Sequence, residues 1–143
     1  MRRVTQPPAS GERNAAAGTL DDLLGFEFLE SSAEGCRARF AVEDRVRQPF
    51  GLVHGGAYAA LAETMVSLAT YAVVSENGDF AVGQSNYTDF LRPVADGSIL
   101  AEGRPRHRGR TSWVWDVDFT DDEGRLCAIS RVRVAVRPMA DES

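Results

Sequence analysis

The strongest constraint on this chain's fold is AYAALAETMVSLATYAVVSE, a run from Ala57 to Glu76 that is apolar almost all the way round. The spacing predicts a helix, and Asn77-Gly78 supplies its stop. At about 1.5 Å per residue it spans about 30 Å, the width of a small domain. A helix without a broad polar face must be covered on most sides. At 143 residues the chain is the size of one ordinary domain, so the cover has to come from the rest of the same fold.

The rest of the chain reads mostly as strands. Downstream, Phe80 to Leu91, Ser98 to Arg106, Thr111 to Phe119 and Leu126 to Val136 are candidate strands, with turns at Asp96-Gly97, Arg108-Gly109 and Asp121-Asp122-Glu123-Gly124. Trp113, Trp115, Val117 and Phe119 share one face. Val132, Val134 and Val136 share another, with Arg131, Arg133 and Arg137 opposite. Upstream, Thr19 caps a short helix over Leu20 to Leu24, with Asp21 and Asp22 where the helix dipole favours acids. Phe26 to Ser32 and Cys36 to Val42 then form a strand pair. The expected fold class is α+β: a long central helix wrapped by a curved antiparallel sheet of five to six strands. Residues 1–18 read as a disordered arm, 19–138 as the single domain and 139–143 as a tail.

Composition removes whole classes of chemistry. A net charge of −5 argues against general nucleic-acid binding. All sixteen basic residues are arginine, which rules out a Schiff-base lysine and a P-loop lysine. Cys36, Cys127, His54 and His107 are too scattered for a disulfide framework or a zinc site, so no metal and no cofactor are expected. The arginine pair at residues 2 and 3 is not followed by a signal-peptide core, and Glu63, Thr64, Ser67 and Thr70 interrupt the apolar run. No membrane partner is expected, and the compartment is read as cytoplasmic and reducing.

Glu63 is the anomaly. A carboxylate in an apolar setting costs several kcal/mol unless it is hydrogen-bonded, so Glu63 is exposed on a stripe, paired or functional. Ser67, four residues on, shares its helix face. Gly55 and Gly56 stand where a helix begins and its first amides lack acceptors. They either turn the chain or let a carbonyl approach those N–H groups. His54 can be a base, a donor or a structural residue, and Gln48 carries both a donor and an acceptor. Tyr58, Met65, Leu68 and Phe50 are pocket walls or core. Arg104, Arg106, Arg108 and Arg110, interleaved around His107, form the densest basic patch: a phosphate site or a charged hairpin edge.

The stretch Gln48-Pro49-Phe50-Gly51-Leu52-Val53-His54-Gly55-Gly56, with Ala60-Leu61-Ala62-Glu63 and Ser67, resembles the hotdog-fold acyl-CoA thioesterases of the phenylacetate-pathway and 4-hydroxybenzoyl-CoA thioesterase type. The element order resembles that fold over residues 20–137. Leu91-Arg92-Pro93-Val94 and His107-Arg108-Gly109-Arg110 look like further family positions. The resemblance implies a homodimer or homotetramer with sites shared between subunits: Gln48, His54 and Gly55 from one chain, and Glu63 and Ser67 from the other. It implies that Glu63 is a buried catalytic carboxylate, acting as nucleophile or general base, while the Gly55 N–H polarises the thioester carbonyl. Gly56, Arg92, Arg108 and Arg110 are expected to bind the acyl-CoA substrate. The alternatives are a hotdog dehydratase or hydratase and a non-catalytic acyl-CoA-binding module.

Overall fold

In a computed structural model, which describes residues 15–140, the order of elements is α1 (Leu20–Leu23), β1 (Glu27–Ser31), β2 (Cys36–Ala41), α2 (Gly55–Val74), β3 (Asp79–Phe90), β4 (Ser98–Arg108), β5 (Ser112–Thr120) and β6 (Leu126–Pro138). The strands form one antiparallel sheet in the order β1-β2-β4-β5-β6-β3. It curves around α2, which packs most extensively on β3 and β6. This is the expected architecture, with six strands. Residues 15–18 have no regular secondary structure. The rest of the expected arm, and residues 141–143 of the tail, lie outside the described residues.

Alternation decides which side of the sheet meets α2. Trp113, Trp115, Val117 and Phe119 of β5 are buried, as are Val132, Val134 and Val136 of β6. The opposite side is wet and charged. There Arg104 pairs with Asp118 at 3.1 Å, Arg106 with Asp116 at 3.6 Å, and Arg131 with Asp116 at 2.8 Å. Pro105 sits within β4, but the pairing of β4 with β2 ends at Gly103, so its missing N–H costs no ladder bond on that side.

One buried polar contact sets the rotation of α2 against the sheet. The Trp115 Nε1–H donates to Thr70 Oγ1 at 3.0 Å, and that hydroxyl donates to the Val66 carbonyl at 2.8 Å. The indole is thus satisfied deep in the core, as a buried donor must be. Both cysteines are free and buried, and burial pushes the Cys36 thiol up to about 12. By length and composition α2 and its extension could cross a membrane. Here it is the core helix, with Leu61, Ala62, Val66 and Ala69 wholly buried against the chain's own sheet.

Helix α2 starts two residues before the expected Ala57. His54 is its N-cap, and its Nδ1 accepts from the Gly56 N–H at 2.8 Å. That side-chain cap offsets the poor helix propensity of two glycines, so Gly55 and Gly56 form the first turn. At the other end a short 3-10 segment, Ser75–Asn77, carries the chain to Gly78, whose φ of +76° closes the helix in the left-handed conformation.

Candidate functional site

The connection before α2 is a closed loop. The His54 N–H donates to the Val46 carbonyl at 2.7 Å, the Val53 N–H to Val94 at 2.9 Å and the Gln48 N–H to Leu52 at 2.8 Å, while Arg47 and Val53 form an isolated bridge. Gln48 Oε1 accepts from the Phe50 N–H, which leaves its amide nitrogen as the outward donor. His54 is used in the same way. With Nδ1 accepting from Gly56, the neutral ring carries its proton on Nε2, and the exposed imidazole edge is a donor. Since the Gly56 N–H serves the cap, the free amide of the glycine pair is that of Gly55, which has no acceptor among the described residues. The loop and the helix start therefore offer three donors in sequence: Gln48, His54 and Gly55.

Further along α2, Ala59, Ala60 and Ser67 are half-buried and Glu63 is exposed. Glu63 is exposed in the single chain, which corrects the expectation of burial: the sheet covers the other side of the helix. Its carboxylate lies across Gly83 of β3, where an added Cβ would stand 2.7 Å from Oε1. A groove of about 390 Å³ opens between α2 and β3, lined by Ala59, Ala60, Glu63, Asn86, Thr88 and Phe90. Asn86 donates to the Ala59 carbonyl at 2.9 Å, and the Thr88 hydroxyl donates to Asn86 Oδ1 at 2.7 Å, so the β3 wall is tied to the helix. The Phe90 ring lies over Gly55, where an added Cβ would clash with it. The Ser67 hydroxyl oxygen is buried and has no hydrogen-bond partner among the described residues.

Within one chain the two halves do not meet. Gly55 and Glu63 are separated by eight helical positions, or about 12 Å. Gln48, His54 and Gly55 lie at the start of α2; Glu63 lines the groove, and Ser67 lies one turn further along the helix. The remaining β3 edge is unpaired among the described residues, and Val82, Tyr87 and Phe90 along it are exposed by 48%, 70% and 62%.

The other expected contacts divide. Arg104 and Arg106 are engaged by carboxylates of β5. Arg108 and Arg110, at the exposed tip of the β4–β5 hairpin, carry no carboxylate partner among the described residues, and Arg108 donates only to the Ala33 carbonyl at 3.3 Å. Arg92 is exposed at the end of β3, its N–H bonded to the Cys127 carbonyl at 3.1 Å. Of the candidate walls, Tyr58 and Met65 are core, Leu68 is half-buried and Phe50 is 89% exposed. Sequence reasoning missed Gly83, Asn86, Thr88 and Phe90. Their signal was weak: one glycine in a strand, and alternation along a segment whose pairing slips between Gly83 and Ser85.

Comparison with known proteins bears on the same residues. Residues 50–128 match the family model described as the thioesterase superfamily, a span that runs from the loop before α2 into β6. The chain is 39% identical over 121 residues to the proofreading thioesterase EntH of Cronobacter turicensis, covering 85% of this chain and 88% of that protein. Its fold matches a crystallised mutant of thioesterase PA1618 from Pseudomonas aeruginosa with a TM-score of 0.81 at 37% identity, covering 85% of this chain and 88% of that one. It also matches thioesterase HI1161 from Haemophilus influenzae with a TM-score of 0.81 at 34% identity and 89% coverage of both. With a long helix wrapped by a six-stranded antiparallel sheet and a family match over more than half its length, the chain belongs to the thioesterase superfamily and is a thioester hydrolase of the hotdog fold.

Proposed function

We propose that this thioesterase hydrolyses an acyl-CoA with an aromatic or medium-length acyl group, in sites completed by a second copy of the chain. The observation that carries the reading is the Glu63 carboxylate in the groove, lying across Gly83, with a buried Ser67 hydroxyl, unpartnered among the described residues, one helical turn further along α2. A buried hydroxyl without a partner is costly, and a hydrogen bond to the carboxylate of Glu63, four residues back on the helix, would satisfy it.

The residue types suffice for hydrolysis without a resident cofactor; the CoA thioester is the substrate. The Gly55 N–H and the donor edges of Gln48 and His54 from one chain bind the thioester oxygen and the water. They stabilise the oxyanion that forms as the carbonyl is attacked. Glu63 of the other chain either removes a proton from the attacking water or attacks the carbonyl itself, giving an anhydride that water then opens. The CoA thiolate leaves without needing a strong acid. His54 acts here as a donor and not as the base, because its Nδ1 is committed to the helix cap. Phe90, over Gly55, walls the acyl group. Arg108 and Arg110 meet CoA phosphates, and Arg92 stands at the groove mouth. A homodimer or a homotetramer built from it, working in the cytoplasm, fits the split between donors and carboxylate and the open β3 edge.

The test is release of free CoA thiol from benzoyl-type, phenylacetyl and straight-chain acyl-CoAs by the parent protein and Glu63→Ala. The expected result is turnover of at least one acyl class that falls by roughly 10²- to 10⁴-fold in the variant, with the oligomer intact. A variant rate near the parent's would refute the role of Glu63. No turnover on the whole panel from folded protein would refute the substrate class.

A further inference from the structure

A line of polar groups runs from the sheet to the helix that carries Glu63. Ser130 of β6, 4% exposed, stands directly opposite Thr88 of β3, and their hydroxyl oxygens are 2.8 Å apart. Thr88 donates at 2.7 Å to Asn86 Oδ1, and Asn86 Nδ2 donates at 2.9 Å to the Ala59 carbonyl of α2. Chemistry fixes the direction of every bond. A carbonyl only accepts, so Asn86 turns Nδ2 to Ala59 and Oδ1 to Thr88; the one Thr88 proton is then used, and Ser130 donates to Thr88. The line ends on the carbonyl that, in an α-helix, accepts from the N–H four residues on, which here is that of Glu63. No step of the proposed hydrolysis uses these three side chains.

We propose that Asn86, held by Thr88 and Ser130, is a positioning residue for Glu63: it sets the distance between the helical turn that carries the carboxylate and the strand that walls the groove. The inference rests on the reading of Glu63 given above. Ala59, Glu63, Asn86 and Thr88 line one groove, so the tether and the acid stand in the same place. Ala59 and Glu63 are also one turn apart on one helix face. Among the described residues, the Asn86 bond is the only hydrogen bond between α2 and β3.

Strand β3 needs such a tether. Its register with β6 slips between Gly83 and Ser85, beside the glycine over which the carboxylate lies, and its other edge has no strand beside it among the described residues. A slip of this kind interrupts the ladder and bends the strand. Apolar packing against the helix is non-directional and leaves the strand free to slide. A hydrogen bond instead holds its two atoms at about 2.7–3.2 Å in a set direction. A carboxylate that must meet a thioester bound by another chain depends on that precision, since a displacement of about 1 Å can cost about 100-fold in rate. Thr88 and Ser130 in turn keep the Asn86 amide from rotating away from Ala59.

The test measures kcat and KM on the acyl-CoA of the panel above that the parent cleaves fastest, together with amide hydrogen exchange, in the parent and in Asn86→Leu, Thr88→Val, Thr88→Ser, Thr70→Val and Glu63→Ala. Asn86→Leu, similar in size but without a donor, should lower kcat at least about 10-fold with KM within about twofold, and the Glu63 amide should exchange at least about threefold faster. Thr88→Val should act the same way to a smaller extent. Thr88→Ser, which keeps the hydroxyl, should recover at least about half of the parent kcat, and this pair carries the test if Asn86→Leu does not fold. Thr70→Val weakens the core further along α2 and should leave kcat within about twofold. An unchanged kcat in Asn86→Leu overturns the inference, and a raised KM beside it would make Asn86 a substrate contact instead. A kcat loss in Thr70→Val as large as that in Asn86→Leu, or a Thr88→Ser as slow as Thr88→Val, also overturns it. In each of these outcomes, loss of turnover in Glu63→Ala leaves the reading of Glu63 standing. Undiminished turnover in Glu63→Ala overturns that reading and, with it, this one.

Discussion

At the scale of single residues, the site depends on what is missing from a side chain as much as on what is present. Gly83 has an ordinary strand conformation, so no turn demands a glycine there; what demands it is the Glu63 carboxylate lying over its Cα. A Cβ would push that carboxylate off the strand. Gly83→Val should therefore lower kcat/KM at least about 10-fold while stability shifts by no more than about 1 kcal/mol, because valine suits a strand better than glycine. Parallel denaturant melts and thiol-release assays separate the two effects, and a fully active Gly83→Val would show that Glu63 works from another rotamer. Spacing put Glu63 and Ser67 on one helix face, and the family resemblance implied their roles. Gly83 was not legible, because its contact with Glu63 joins residues 20 apart in sequence.

At the scale of elements, alternation and turn residues located every strand, since a sheet with one buried and one charged face writes that pattern directly into its sequence. The start of α2 escaped, because glycine is a poor helix former and the energy that overrides it comes from a histidine cap outside the run. The rotation of the helix depends on Thr70. Thr70→Val keeps the shape but strands the Trp115 indole N–H in the core, which should cost about 1–3 kcal/mol in urea or thermal unfolding.

On the outer face, Arg131 grips Asp116 through two hydrogen bonds, at 2.8 and 3.1 Å. That hydrogen bonding, with the charges of Arg131, Arg106 and Arg104, holds the Asp116 carboxyl below the usual carboxylate range. A carboxyl depressed on folding stabilises the fold above its unfolded value, near pH 4, and loses that contribution as pH falls through the depressed value. Asp116→Asn should therefore be less stable than the parent at pH 7, with the difference shrinking towards pH 2. Unfolding midpoints measured across that range check the sign.

At the scale of the whole molecule, a strand of 12 residues with one edge unpaired among the described residues and a row of exposed apolar side chains is a surface that water covers poorly. If β3 meets its counterpart in a second chain, a charge placed there should separate the subunits and silence the enzyme together. Val82→Asp should sediment as a smaller species and lose turnover in step with dissociation; a fully active monomer would refute shared sites. Mixing offers the complementary measurement. Glu63→Ala chains refolded with Gln48→Ala chains should regain turnover that neither shows alone, because each mixed pair contains one site with both halves intact.

All sixteen strongly basic side chains are guanidinium groups. A thioester is an acyl donor to any free amine it encounters, and a lysine-bearing protein that spends its life beside such compounds collects acyl groups on its side chains. Guanidinium groups stay protonated and do not take part. The ion pairs of the outer sheet therefore double as chemical inertness: the side chains that hold positive charge across the physiological pH range are ones that acyl donors leave unmarked.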